Sequence, residues 1–144
     1  RVAQDMNPQD VANMMLAYAK LEKMPDDKTW AVLDTATGRV APAMNPQAVA
    51  NVMWTLSKLE RMPDDKTWVA LETAAERVAR EMDPQAVANV MLTLSKLERT
   101  LDEKTWVALE TAAGRVAQDM NPQEVANVML AYAKLERMPD DKTW

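Results

Sequence analysis

A chain of 144 residues, 48% hydrophobic and 27% charged, can bury a core, and its net charge of −5 speaks against a uniformly basic nucleic-acid binder. It contains no cysteine and no histidine, which excludes thiol nucleophiles, disulfides, the usual zinc sites and histidine acid–base chemistry, and with them most enzyme classes. No apolar run approaches the roughly 20 residues needed to cross a bilayer, and no signal or transit segment is visible, so no membrane partner is expected.

The stretch Met6 to Trp30 returns almost unchanged at Met44, Met82 and Met120, with Trp30, Trp68, Trp106 and Trp144 keeping the same interval of 38 residues. A fixed period of this size with helical patterning predicts an all-α fold, an α-solenoid of helix-turn-helix repeats in which each unit buries its apolar face against the next. Residues 1–5 match the end of a second helix, followed by repeats 6–43, 44–81 and 82–119 and a partial repeat 120–144. That makes a single array of about three and a half repeats, and the start at Arg1 and end at Trp144 predict a piece of a longer array.

In the first repeat, Asn7 is suited to cap a helix and Pro8 to occupy its first position, where a missing N–H costs nothing. The pattern recurs at Asn45-Pro46, Asp83-Pro84 and Asn121-Pro122. Helix A is predicted from there to Lys23, rich in Val, Ala, Met and Leu, before Pro25 marks the turn and Asp26 or Asp27 caps the next helix. Helix B is predicted from about Lys28 to Ala41, with Trp30, Leu33, Thr37 and Val40 forming its buried stripe. Gly38 and Gly114 each weaken a helix interior by roughly 1 kcal/mol relative to Ala, and Pro42 predicts an early stop that leaves the first helix B the most loosely held. The third repeat loses the turn proline at Thr100-Leu101 but keeps Asp102 as a cap. In the fourth, Val128, Met129 and Tyr132 are expected to lack cover, which favours end-to-end self-association.

Charge divides unevenly along the repeat. The four first-helix segments carry 7 acids and 8 bases, leaving 15 acids and 9 bases elsewhere, so one surface is neutral to basic while the other is acidic. On a helical projection Gln9, Asn13, Leu16, Ala17 and Lys20 share a face opposite Val11, Met15 and Tyr18. The same stripe recurs as Gln47, Asn51 and Lys58, as Gln85, Asn89 and Lys96, and as Gln123, Asn127 and Lys134. Stacked repeats would turn these columns into ladders of amides and ammonium groups along the A helices, the usual binding surface of curved helical arrays.

Beside the ladders, position 10 varies as Asp10, Ala48, Ala86 and Glu124, and positions 17–19 switch between Ala-Tyr-Ala and Thr-Leu-Ser, bringing Thr55 and Thr93 next to the stripe. Fixed groups to hold a backbone and changing groups to inspect each unit are what a modular RNA reader needs, and Trp54 offers a ring on which a base can stack. Blander readings stand beside these: Asn setting repeat register, Lys as a solvated charge at a helix C-terminus, Trp54 as packing. The Trp30 column and the methionine columns read as core, and Asp26-Asp27 as caps; no catalytic residue, metal site or cofactor is expected.

The period, the run from Pro46 to Leu59 (PQAVANVMWTLSKL) and the turn from Pro63 to Trp68 (PDDKTW) together resemble the octotricopeptide repeat, whose helix A reads like PQxxANxLWALAKL and whose helix B opens with PPPEW. The resemblance covers the whole chain and is specific in the period and in the Ala-Asn and Lys-Leu pairs. Asp64, Asp65 and Lys66 depart from the prolines of the turn, and the helix A Trp survives only as Trp54, being Leu16, Leu92 and Leu130 elsewhere. The resemblance implies single-stranded RNA binding in organellar transcript maturation, stability or translation, in a chloroplast or mitochondrion, or a place as a structural component of an organellar ribosome. A protein-interaction scaffold, with the Asn ladder holding an extended peptide as in armadillo-like arrays, is the rival from another class.

Overall fold

The computed structural model describes residues 6–97 and 103–135. Among these residues the protein is all-helical, with seven α-helices: α1 (Pro8–Lys20), α2 (Asp27–Val40), α3 (Pro46–Leu59), α4 (Asp65–Val78), α5 (Pro84–Lys96), α6 (Glu103–Val116) and α7 (Pro122–Leu135). No helix among them is long and apolar enough to cross a membrane. The segment 1–5, the turn at Thr100-Leu101-Asp102 and the end of the fourth repeat, including Trp144, lie outside the described residues.

Capping explains where the A helices start. Asn7 Oδ1 accepts from the Asp10 amide at 2.8 Å while Asp10 Oδ2 accepts from the Asn7 amide at 3.2 Å, a closed capping box. Asn121 and Glu124 form the same box at 2.8 and 2.9 Å. Asn45 and Asp83 cap singly, each accepting at 2.8 Å from Ala48 and Ala86. In every case a proline fills the first turn, where its lack of an N–H leaves no bond unmade.

The predicted extension of helix A to Lys23 is not what forms. Helix α1 ends at Lys20, and Glu22 turns into the left-handed region at φ 54°, so that the Lys23 amide donates to Tyr18 O at 3.1 Å. Glu60 does the same after α3 at φ 53°, with the Arg61 amide donating to Leu56 O at 3.2 Å. This closing geometry satisfies late carbonyls but favours glycine at the reversing residue. Glu60→Gly is therefore expected to stabilise the protein by roughly 1 kcal/mol, read as a rise in the urea midpoint at unchanged slope.

Asp26 caps α2 by accepting from the Thr29 amide at 2.7 Å. That hydrogen bond holds its carboxyl below the ordinary aspartate range. The predicted stripe is buried throughout, Trp30, Leu33, Thr37 and Val40 all facing the core. Gly38 and Pro42 do not shorten this helix: α2, α4 and α6 each run 14 residues. Each ends in the same single 3-10 turn, Ala41–Ala43, Ala79–Glu81 and Ala117–Asp119, so the stop belongs to the repeat and not to the proline.

The helices form two rows. Each A helix packs on the next, α1 on α3, α3 on α5 and α5 on α7, while α2 packs on α4 and α4 on α6. Small side chains let the A row close: Ala12, Ala50 and Ala88 are buried, with Met15, Met53 and Met91 filling the remaining space. Trp30, Trp68 and Trp106 are buried between the rows, as their place at the head of the helix B stripe predicts. The last A helix departs from expectation. Val128 and Tyr132 are buried, because α5 and α6 cover them and the Trp106 ring meets Tyr132 edge-on at 5.3 Å; Met129 alone of the three stays exposed.

Candidate functional site

The polar stripe of helix A is built by its regular turn. Gln9, Asn13, Ala17 and Lys20 are exposed on α1, whereas Val11, Ala12, Met15 and Ala19 are buried on the other side, and Leu16 and Tyr18 are half-buried. On the following A helices Gln47, Gln85 and Gln123 and Lys58, Lys96 and Lys134 are all exposed, with Asn51, Asn89 and Asn127 half-buried at the edge between helices. Because the A helices pack in succession, the columns of glutamine, asparagine and lysine are carried on adjacent helices of one row.

Within the stripe the amides pair locally. Gln9 Nε2 donates to Asn13 Oδ1 at 3.1 Å, Gln47 to Asn51 at 3.3 Å and Gln123 to Asn127 at 3.0 Å, one helical turn apart in each case. The bond uses one acceptor lone pair of the asparagine, so its Nδ2 donors and the glutamine Oε1 keep their own hydrogen-bonding capacity. Each pair thus offers donors and an acceptor of fixed polarity. The lysines stand in the last turn of their helices, where the dipole favours a cation. None of the four is ion-paired with a carboxylate among the described residues, Glu22 and Glu60 included.

A small hollow of about 230 Å³ opens between the starts of α3 and α5, lined by Asn45, Pro46, Gln47, Glu81, Asp83 and Ala86. It brings two acids close to the glutamine end of the stripe. The face is therefore graded, acidic at the helix starts and cationic at the helix ends.

Two residues predicted for this surface are not on it. Thr55 and Thr93 are buried at 0% and 1% exposure. The Thr55 hydroxyl donates to Asn51 O at 2.9 Å on its own helix, and the Thr93 hydroxyl crosses from α5 to Met53 O on α3 at 3.1 Å. Thr93→Val should lower stability by about 1 kcal/mol, the usual net loss for one buried hydrogen bond, while leaving ligand affinity at the stripe unchanged; a urea melt and a binding titration on the same preparation check both halves. Trp54 and its equivalents Leu16 and Leu92 are half-buried, while Leu130 is exposed.

The variable columns have structural causes. Position 10 is acidic where the capping box closes, at Asp10 and Glu124, and becomes a buried alanine at Ala48 and Ala86. The block at 17–19 is a packing choice, with Leu56 and Leu94 buried in two repeats and Tyr132 in another. The variation beside the stripe follows caps and core packing.

Repeat register is held by side chains that the sequence reading passed over. Arg77 Nη2 donates to Met44 O at 2.8 Å and Ala41 O at 3.4 Å, Arg115 repeats this on Met82 O and Ala79 O at 2.8 and 3.4 Å, and Arg39 reaches Met6 O at 3.3 Å. Thr67 donates to Asp34 O at 3.1 Å and Thr105 to Glu72 O at 3.5 Å, joining each B helix to the one before. All of these stand in unvarying columns of the repeat, which was the signal available. The asparagine bonds given above stay within one helix, so register does not depend on them. Compared with family models and with curated protein sequences, the chain matches none.

Proposed function

We propose that the chain is an α-solenoid of 38-residue repeats that binds single-stranded RNA along its A helices, as an RNA-binding module and not as an enzyme. The observation that carries this reading is the repeated Gln–Asn–Lys stripe, with exposed glutamines and lysines, whose amides pair in three of the four repeats and whose lysines have no carboxylate partner among the described residues. Lys20, Lys58, Lys96 and Lys134 would meet phosphates, Asn13, Asn51, Asn89 and Asn127 with Gln9, Gln47, Gln85 and Gln123 would meet base or sugar edges, and Trp54 would stack on a base. The likeness to octotricopeptide repeats supports the same reading and points to organellar transcripts, in a chloroplast or mitochondrion.

Four phosphate contacts fix the salt dependence. At about −0.7 per phosphate for a single strand, log Kd-derived affinity should fall with log salt at a slope of roughly −3. A fluorescence-anisotropy titration of a short single-stranded RNA pool at four salt concentrations reads this directly. A slope near zero, or no binding to any pool, would overturn the proposal. Pull-down with and without nuclease then separates RNA binding from a protein scaffold, since partners held through RNA disappear on digestion.

A further inference from the structure

We propose that α4 is capped by the preceding repeat: Asp34 of α2 supplies the acceptor that α4 lacks at its own start, and neither of these two B helices is complete without the other. Helices α1 and α7 show what a self-sufficient start looks like. There the cap asparagine accepts from the third helical amide, and the third helical side chain, Asp10 or Glu124, accepts back from the cap amide. Helix α4 has neither half of that box. Asp64 stands at the cap position, but its side chain makes no capping hydrogen bond among the described residues, and the third position holds Thr67, which has no carboxylate to reach back. The acceptor comes from across the seam instead. The Asp64 amide donates to Asp34 Oδ2 at 2.9 Å, and the Thr67 hydroxyl donates to Asp34 O at 3.1 Å. One residue of α2 thus takes two donors from the first turn of α4.

Gly38, one turn further along α2, clears the space for this contact, since a Cβ there would lie 3.0 Å from Thr67 Oγ1. The next seam carries Glu76 in the same column, and the corresponding bond from Thr105 to Glu72 O is longer, at 3.5 Å. Helix α4 returns the tie at its other end. Arg77 Nη2 donates to Ala41 O and Met44 O, on the 3-10 turn that closes α2. Open helix ends leave backbone groups without partners, so opening α2 uncaps α4 and opening α4 releases the end of α2. Asp34 Oδ1 is buried without a partner among the described residues. The side chain is therefore used through one oxygen, and an amide in its place would keep the acceptor for Asp64. This coupling does not rest on RNA binding.

Amide hydrogen exchange, followed residue by residue on the full chain, tests this with four variants. Alanine suits a helix interior better than aspartate, so an Asp34 that served only its own helix would, on Asp34→Ala, leave α4 untouched and protect α2 better. The expected result is the opposite: exchange at the Asp64 and Trp68 amides, in the first turn of α4, rises about tenfold. Asp34→Asn should stay close to the wild type. Asp26→Ala removes a cap that serves its own helix at 2.7 Å and should speed exchange at Thr29 and Trp30 to a similar extent. Asp64→Ala, in the same column, should leave α4 within about twofold of the wild type. Unchanged exchange at Asp64 and Trp68 in Asp34→Ala would overturn the proposal, as would an Asp64→Ala that harms α4 as much as Asp26→Ala harms α2.

Discussion

Lys58→Glu combined with Lys96→Glu should lower affinity for single-stranded RNA by about a hundredfold at moderate salt and halve the salt slope, from roughly −3 to roughly −1.4, since two of four phosphate contacts are removed. Both lysines are exposed at helix ends and neither is paired among the described residues, so the change should leave the unfolding midpoint nearly unmoved. The matching control is Lys66→Glu with Lys104→Glu, two exposed lysines at the starts of α4 and α6, in the B row. That control should retain affinity if binding follows the A row. Equal losses from both pairs would mean that net charge alone governs binding and that the stripe has no special part.

Trp106→Ala should cost the protein about 3–5 kcal/mol, the range for deleting a buried aromatic side chain. Trp106 is 1% exposed and meets Tyr132 at 5.3 Å and 83°, and Tyr132 in turn donates its hydroxyl to Glu110 Oε2 at 3.0 Å. Removing the indole therefore loosens the tie between α6 and α7 as well as leaving a cavity. Helices in each row contact chiefly their neighbours, so the damage should stay local at first. Hydrogen exchange should show α7 and α6 losing protection while α1 to α3 keep theirs. Uniform loss along the chain would mean that the helices unfold as a single cooperative unit.

Helix identity, the two-helix unit and the buried tryptophan column were all legible in the sequence, because caps, prolines and apolar spacing are local signals repeated several times over. The polar stripe was legible for the same reason: a projection of one helix placed Gln9, Asn13 and Lys20 together. Thr55 and Thr93 were misplaced because a single-helix projection does not know that the neighbouring A helix leans over position 17. Glu22 and Glu60 were misread since a left-handed reversal usually announces itself with glycine or asparagine. Arg77 and Arg115 were passed over because only the folded backbone brings the carbonyls of Met44 and Met82 within their reach. Pairing of side chain with distant backbone has no periodic trace, only the invariance of its column.

The two rows of helices are joined by unlike seams. Along the A row, alanines and methionines are buried between successive helices, with a hollow of about 230 Å³ at the starts of α3 and α5. The B row leaves open grooves, about 440 Å³ beside Asp34, Thr35 and Lys66 and about 630 Å³ beside Thr73, Arg80 and Ala108, bridged by hydrogen bonds from Thr67 and Thr105. In mechanical terms the A row is the stiff ply of a laminate and the B row the compliant one. On this packing a bending load should open or shut the B grooves before it changes the distance from one lysine column to the next. A ligand bound along the A row would then keep its pitch, with strain from outside taken up in the B row.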